Sequence, residues 1–374
     1  MSIYKRRIDN YKEKRERVLR GEINCIPFPL SRFRQDLPGI EQGKYYLLTG
    51  SEKSAKSQIT DFLFMLSPLL YAYNNRDKIS LKILYFSLEM AISEKFDQIV
   101  CFCLYYFSKG QIRIDSKQLN SLNDESPLAK EVLEILESKE YQDFFEFIEE
   151  TVVFNQNSVN PFGIFKFCKE FAEARGKLYK KVIPWRNEVT GEPETKEVID
   201  YFEKNNPNEY WIVITDHLSL LTKESGMDFR ESIGKFSSKD CVQLRNNYGF
   251  TIVNIQQQSA SKQDNTSFKL DRLTPSTDGL ADNKMTAKDC NVMLGIFSPF
   301  KFEKANHLGY NIKDEWRDNI RFLEVCLNRN GSSGVVTPLY FDGACNAFFE
   351  LPLPNDVSQL SKYKQMALKA QGKI

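Results

Sequence analysis

The residues best suited to chemistry lie in a loop that joins a short apolar run, KYYLLTG, to an amphipathic run, SQITDFLFML. Between a strand and a helix, such a loop directs backbone N–H groups and a helix N-terminus at phosphate oxygens. Lys56 would reach the β- and γ-phosphates of ATP, and the Ser57 hydroxyl would ligate Mg²⁺. The predicted loop consists of Gly50, Ser51, Glu52, Lys53, Ser54, Ala55, Lys56 and Ser57.

One position of this loop departs from the phosphate-loop pattern G-x-x-x-x-G-K-[S/T]. Ala55 stands where the pattern has its second glycine, which is favoured there because glycine has the greater backbone freedom. A side chain in the left-handed conformation costs roughly 1–2 kcal/mol, so we expect weaker nucleotide binding or a distorted loop. Taken alone, the stretch is also compatible with a serine- and lysine-rich turn that binds no nucleotide.

A carboxylate ends a second apolar run, EYWIVITDH, which is typical of a central parallel strand. Asp216 follows four or five apolar residues in the Walker B pattern. At the carboxyl end of a strand it would hold the Mg²⁺ shell through water. Aspartate is also a common N-cap at the start of a helix, so the pattern alone leaves both roles open.

Two further strands end in polar side chains. Glu89 comes just after LKILYFSL, where a carboxylate can orient and polarise the water that attacks a γ-phosphate. FTIVNIQQQ ends in three glutamines, residues 256–258, whose amides can sense the γ-phosphate or contact DNA. Because open α/β sheets bind ligands at the carboxyl ends of their strands, we expect these groups to share one edge of the sheet.

The elements that must position these residues alternate between apolar strands and helices from Lys44 onward. This alternation predicts an α/β fold with a central, mostly parallel sheet. We place a basic helix in residues 1–21, the main domain in 22–353 and a tail, loose or helical, in 354–374. Polar residues 178–209 predict a surface insertion that contains a helix, and IRFLEVCLN and VVTPLYF predict a hairpin at one edge of the sheet.

Composition narrows the class of protein. The chain has 374 residues, of which 41% are hydrophobic and 27% charged, which is ordinary for a globular protein. No apolar run reaches the roughly 20 residues that span a bilayer, and the N-terminus lacks a secretory signal. We therefore expect a cytoplasmic protein with no membrane partner. Eight scattered cysteines and two histidines predict reduced thiols and argue against zinc sites or imidazole-based catalysis.

Five phrases occur in a specific order and spacing: YFSLEM, ITDHLSLL, IVNIQQQSAS, AKDCNVMLGIF and LNRNGSSG. With them the sequence resembles the RecA-type motor domain of DnaB-like replicative helicases, over roughly residues 22–350. The divergence is typical of a phage-type helicase, which would work in the cytoplasm of its host. The resemblance implies a RecA-like P-loop NTPase fold, preceded by a helical linker, that hydrolyses ATP with Mg²⁺.

The resemblance also implies roles for single residues. Lys56 and Ser57 would be the lysine and serine of the phosphate loop. Glu89 of FSLEM would be the catalytic base, and Asp216 would be the Walker B aspartate. Gln257 would be the glutamine that is typical of these helicases.

On the neighbouring subunit, Arg329 would act as an arginine finger on this subunit's nucleotide. Leu327 stands where the family usually has a lysine beside that finger, so we expect γ-phosphate sensing to be altered. Ala55 is the second departure from the family, and it bears on phosphate binding.

Ring assembly and DNA binding are further implications of the resemblance. The basic helix 3–20 would dock onto an adjacent protomer and close a ring, most simply a hexamer; a plain solvated helix face is the alternative. Segments 222–235 and 259–288 would line the central pore and grip single-stranded DNA. Candidate contacts to DNA phosphates are Lys262, Lys269, Arg272 and Lys284. Each of these residues could equally lie in a solvated loop.

The expected function is an ATP-driven DNA helicase ring that translocates on single-stranded DNA, with a primase or a helicase loader as candidate partners. One alternative is a catalytically weakened paralogue with a structural or accessory role, motivated by Ala55 and Leu327. Another is a recombinase-like, DNA-dependent ATPase that forms open filaments. We expect no separate primase-binding domain, since about 40 residues precede the motor.

Overall fold

A computed structural model describes residues 2–123, 126–186, 191–259 and 273–373. Its largest sheet has nine strands, and three two-stranded sheets accompany it. In chain order the strands are β1 Ile26–Pro27, β2 Gly39–Ile40, β3 Tyr45–Gly50, β4 Ser80–Ser87, β5 Val152–Asn155, β6 Gly176–Arg186, β7 Pro193–Lys204, β8 Glu209–Asp216, β9 Thr251–Gln257, β10 Val292–Phe297, β11 Asn306–His307, β12 Tyr310–Asn311, β13 Ile320–Asn328, β14 Val336–Asp342 and β15 Ala347–Glu350.

The nine-stranded sheet has the order β15-β14-β13-β10-β3-β9-β8-β4-β5. The six strands from β10 to β5 are parallel to one another. The remaining three continue the sheet in antiparallel fashion. This confirms the predicted α/β fold with a mostly parallel sheet and the predicted pairing of β13 with β14. One further strand, β15, forms the edge beyond that pair.

Helices cover the sheet. They are α1 Ile3–Leu19, α2 Phe33–Asp36, α3 Lys56–Asp61, α4 Ser67–Asn74, α5 Ile92–Phe107, α6 Ser116–Leu119, α7 Lys130–Leu136, α8 Lys139–Thr151, α9 Pro161–Glu173, α10 Phe229–Lys235, α11 Val242–Tyr248, α12 Thr286–Asp289 and α13 Val357–Ala370. A π-helical segment, Phe62–Leu66, joins α3 to α4, and a second one, Phe236–Cys241, joins α10 to α11. Each pair therefore forms one continuous helical rod after its strand.

Both faces of the parallel part of the sheet are buried, as uniformly apolar strands predict. All residues of β3 are buried, and their side chains alternate between two cores. Tyr46 and Leu48 pack in one core with residues of α3, α4, α5 and α8. Tyr45 and Leu47 pack in the other core with residues of α9, α10 and α11. The sheet is thereby fixed between two helical layers, which leaves its strand ends to form the site.

The prediction of a helix inside the insertion is wrong. β6 and β7 instead form a long antiparallel hairpin between α9 and β8. Cross-strand pairs stabilise it: Tyr179 stacks on Tyr201 with ring centroids 4.5 Å apart, and Lys181 donates to Asp200 at 2.6 Å. The polar composition hid these pairs, because they form only between residues about 20 positions apart.

The two terminal segments are helical. α1 ends at Leu19, and Gly21 follows it with a φ of 77°, as the sequence predicts. Tyr4 and Tyr11 on α1 are 75% and 54% exposed. In contrast, α13 packs on the domain, where Leu360 joins a core cluster that contains Trp316. None of the helices in the described ranges combines the length and the hydropathy of a membrane span.

Candidate nucleotide-binding site

The predicted phosphate loop runs from the end of β3 into the N-terminus of α3. Gly50 ends the strand where only glycine fits, since a Cβ there would lie 2.6 Å from the carbonyl oxygen of Ile296. Ser54 Oγ and Lys56 Nζ donate to the Ser51 carbonyl at 2.7 and 2.9 Å. The lysine is therefore folded back over the loop, at the position where an N-terminal helix end favours phosphate.

Ala55 adopts the conformation for which the pattern reserves glycine. Its φ and ψ are 73° and 37°, and it is buried. The loop thus keeps the left-handed turn despite the methyl group, at a cost of roughly 1–2 kcal/mol. Lys56 and Ser57 keep their places as the first two residues of α3.

Asp216, the last residue of β8, faces the loop. Ser57 Oγ donates to Asp216 Oδ1 at 2.9 Å, and Asp216 is 2% exposed. The alternative that Asp216 caps a helix is wrong, because the short helical turn Leu218–Leu220 starts after His217 and has no side-chain cap. A hydroxyl and a carboxylate in contact are the oxygen donors that Mg²⁺ prefers, so these residues fit that ion.

Behind Asp216 lies a buried polar cluster that sequence reasoning missed. Tyr85 of β4 donates its hydroxyl towards Asp216 Oδ2 at 3.0 Å and towards Asp61 Oδ1 at 2.8 Å. Lys95 Nζ lies 2.8 Å from Asp61 Oδ2 and 3.6 Å from Asp216 Oδ2. The available signal was the presence of two charged residues, Asp61 and Lys95, on the apolar faces of α3 and α5.

Burial dominates the ionisation of this cluster. Burial raises the pKa of Asp61, and Lys95 partly offsets that rise. For Lys95, burial by itself lowers the pKa, but Asp61 and Asp216 outweigh burial and the net pKa is raised. We therefore assign Lys95 as an ammonium ion between two carboxyl groups.

Glu89 follows β4 and reaches the front of the same edge. Its side chain is 56% exposed, and Oε2 lies 3.8 Å from His217 Nε2. Burial lowers the pKa of Lys56 to about 8, with Glu89 and Asp216 opposing the shift. Glu89 is thus close enough to the loop lysine for their charges to interact, as expected for a group next to the terminal phosphate.

Gln257 ends β9 and pairs in register with Gly50. Its neighbours are held in the protein: Gln256 Nε2 donates to the Asn283 carbonyl and Gln258 Nε2 to Thr49 Oγ1, both at 2.9 Å. Within the described ranges, the Gln257 side chain makes no hydrogen bond and lies half-buried. Of the three glutamines, it is therefore the one available to a ligand.

Arg329 lies at the opposite edge of the sheet. The preceding Asn328 pairs with Val292, the first residue of β10, and Val292 pairs with Tyr46 near the start of β3. Arg329 Nε donates to the Cys290 carbonyl at 2.8 Å, and a terminal nitrogen donates to Lys288. The structure therefore does not bring Arg329 to the phosphate loop of its own chain. Leu327 lies in the same edge region.

Of the four candidate DNA contacts, only Lys284 can be placed. It is exposed, after Asn283, whose side chain donates to the Arg230 carbonyl at 2.9 Å. This contact joins the segment after β9 to the segment after β8. Lys262, Lys269 and Arg272 lie outside the described residues, and their role stays a prediction.

Two further cations support the loop. Arg321 of β13 is 2% exposed and donates through Nε to the Ser54 carbonyl at 3.1 Å. Lys301 Nζ donates to the Glu52 carbonyl at 2.6 Å. An arginine inside the apolar run IRFLEV was a visible signal for the first contact. Its partner is 267 residues away in sequence, so only the tertiary structure identifies it.

This site and the sheet order define a RecA-like P-loop fold, and known structures share it. The ATPase domain of a phage DnaB-like helicase matches with a TM-score of 0.62 and 14% identity over 94% of this chain and 99% of that chain. A DnaB-like replicative helicase, solved in a study of its interactions with primase, matches with a TM-score of 0.63 and 14% identity over 94% and 67%. No family model and no curated protein sequence matches the chain. The likeness shows the fold of these ATPase domains.

Proposed function

We propose that this chain is the ATP-hydrolysing motor of a ring-forming DNA helicase. The observation that carries the proposal is the convergence of the Ser57–Asp216 contact, 2.9 Å long, with Lys56, Glu89 and Gln257 at one sheet edge. The fold shared with the ATPase domain of a phage DnaB-like helicase and with a second DnaB-like replicative helicase supports the same class of function.

Each residue has a role in this proposal. Lys56 binds the β- and γ-phosphate oxygens when its hydrogen bond to Ser51 is exchanged for them. Ser57 and Asp216 would hold Mg²⁺, which neutralises charge on the phosphates when it is bound. Glu89 orients the attacking water and accepts its proton. Gln257 contacts the γ-phosphate and relays its presence to the segment after β9.

A second copy of the chain completes the site in our proposal. Arg329 cannot reach its own loop, so it would serve the nucleotide of a neighbouring subunit as an arginine finger. The exposed apolar residues of α1, such as Tyr4 and Tyr11, suit a contact with that neighbour. A closed hexamer would bring Lys284 and the segments after β8 and β9 around single-stranded DNA. A primase or a loader is the further partner that this function requires.

ATP turnover with and without single-stranded DNA tests the proposal. We expect DNA to stimulate turnover in the wild type, and Lys56→Ala and Glu89→Gln each to reduce it at least about 100-fold. Glu89→Gln should still bind ATP, because it removes the base and leaves the loop intact. Equal turnover in the wild type and both variants would refute the proposal.

Ala55 and Leu327 favour a second candidate, a weakened paralogue that binds nucleotide without turnover. ATP binding with no hydrolysis in the wild type, even with DNA present, would support that candidate. Particle shape separates the remaining alternative, since electron microscopy would show closed rings for a helicase and open filaments for a recombinase-like protein.

A further inference from the structure

The cluster formed by Asp61, Tyr85 and Lys95 is buried behind the candidate magnesium ligand Asp216. Exposed fractions are 4%, 0% and 1% for these three residues. They come from three separate elements, α3, β4 and α5. Burying an ion pair costs free energy unless its geometry is good, so a cluster placed beside a functional carboxylate invites a functional explanation.

The contacts divide the Asp216 carboxylate into two halves. Oδ1 accepts the Ser57 hydroxyl at 2.9 Å, on the side of the phosphate loop. Oδ2 faces the rear, where the Tyr85 hydroxyl lies at 3.0 Å and the Lys95 ammonium at 3.6 Å. Two donors on Oδ2 restrict rotation of the carboxylate and leave Oδ1 directed at the site.

Asp61 is the anchor that holds those two donors in place. It accepts Tyr85 through Oδ1 and Lys95 through Oδ2, each at 2.8 Å. A phenol carries a single proton, so Tyr85 donates to one carboxylate at a time. The Lys95 ammonium lies between the two carboxylates and reduces their repulsion, which allows both to stay close to Tyr85.

We propose that Tyr85, Lys95 and Asp61 are positioning residues, which orient the Asp216 carboxylate for Mg²⁺ through its rear oxygen. This inference rests on the proposed nucleotide function and deepens it. In metal sites, groups that hold a ligand in place typically affect metal affinity by about 10–100-fold. The cluster should therefore change the magnesium dependence of nucleotide binding more than nucleotide binding itself.

Tyr85→Phe provides the first test, since it removes a single oxygen from the cluster. Binding of a fluorescent ATP analogue is measured while Mg²⁺ is titrated, and again in excess EDTA. We expect the Mg²⁺ concentration at half-saturation to rise roughly tenfold, with unchanged affinity in EDTA. Thermal unfolding of the same samples reports the effect on the fold.

Tyr45→Phe is the matched control. Tyr45 is equally buried, and its hydroxyl contacts Ser237 at 3.0 Å and Asn254 at 2.8 Å in the other core. Loss of that hydroxyl should lower the unfolding temperature but leave the magnesium dependence unchanged. A purely structural role of Tyr85 predicts the same outcome for Tyr85→Phe, and that result would overturn the proposal.

A double variant, Lys95→Met with Asp61→Leu, guards against misfolding of the single variant. It removes one charge of each sign, so a changed magnesium dependence reports position and not net charge. Replacement of a whole buried ion pair by apolar residues is often tolerated. We expect a smaller rise than for Tyr85→Phe, because the tyrosine hydroxyl remains on Asp216.

The outcomes separate this inference from the proposed function. Magnesium-dependent binding by the wild type, with the same half-saturation in Tyr85→Phe and in the double variant, overturns the inference alone. No ATP binding by the wild type, with or without Mg²⁺, overturns the proposed function and the inference together.

Discussion

The two edges of the parallel sheet differ in what they carry. The edge at the carboxyl ends of β3, β4, β8 and β9 holds the phosphate loop, Asp216, Glu89 and Gln257. The opposite edge holds Arg329, at the level of the first residue of β10. A strand of six residues separates the two levels, which corresponds to roughly 15–20 Å.

This difference indicates that one chain presents two half-sites and no complete one. The first edge has the groups that bind and activate a nucleotide, whereas the second has a cation held by two backbone carbonyls. A copy of the chain that places its second edge against the first would join them, as the head-to-tail contacts of a ring or filament do. Three experiments follow from this comparison.

The largest effect is expected from Arg329→Ala. An arginine finger is worth about 10³–10⁵ in turnover, so we expect ATP hydrolysis to fall at least about 1,000-fold. ATP binding should be retained, because the loop that binds phosphate is intact in each chain. Mixing Arg329→Ala with Lys56→Ala protein should restore part of the activity, since some interfaces then combine an intact loop with an intact arginine.

Lys288→Ala serves as a control for this edge, because Lys288 is exposed beside Arg329 and contributes only a backbone carbonyl to it. Its turnover should equal that of the wild type. If the mixture stays inactive while each variant binds its own kind as well as the wild type does, the two edges do not share a site.

A pH effect of intermediate size is expected at the first edge alone. Because the pKa of Lys56 is about 8 in the free protein, its charge falls from roughly nine tenths at pH 7 to one tenth at pH 9. Phosphate binding needs the ammonium form, so the apparent Kd for ATP should rise up to about tenfold between pH 8 and pH 9. Equilibrium binding across pH 6.5–9.5 measures this rise.

The sign for stability is the opposite. The unfolded chain binds the Lys56 proton more tightly than the folded chain, so Lys56 makes the free protein more stable as pH rises from about 8 to 10.5. Lys56→Arg provides the control, because arginine stays charged and its weaker binding should not vary with pH. A flat profile for the wild type would contradict the depressed pKa.

The smallest effect is expected from Ala55→Gly, which restores the residue that the phosphate-loop pattern prefers. Relief of the left-handed strain at a φ of 73° should stabilise the loop by about 1 kcal/mol, or roughly fivefold in ATP affinity. Titration with a fluorescent ATP analogue measures the change.

Lys109→Gly tests whether the gain belongs to the loop. Lys109 also has a positive φ, 54°, but it lies after α5 and outside the site. Its replacement should raise the unfolding temperature without a change in ATP affinity. Equal affinity in Ala55→Gly and the wild type would show that the methyl group does not limit phosphate binding.

The sequence by itself determined the fold class and the front of the candidate site. Buried parallel strands are recognisable as uniform apolar runs, and the polar residue after each run falls at the carboxyl edge because all these strands point the same way. Lys56, Ser57, Glu89, Asp216 and Gln257 were therefore identified from local pattern and order. Their proposed roles remain predictions.

The tertiary structure alone decided the contacts between residues that no local pattern connects. The hairpin β6–β7 depends on cross-strand pairs, so its polar composition was misread as a helix. Asp61, Tyr85 and Lys95 converge on Asp216 across sequence separations of more than 100 residues. Whether a charged residue in an apolar helix is solvated or paired depends on the element packed against it. For the same reason, only the pairing of β13 with β10 placed Arg329 away from its own phosphate loop.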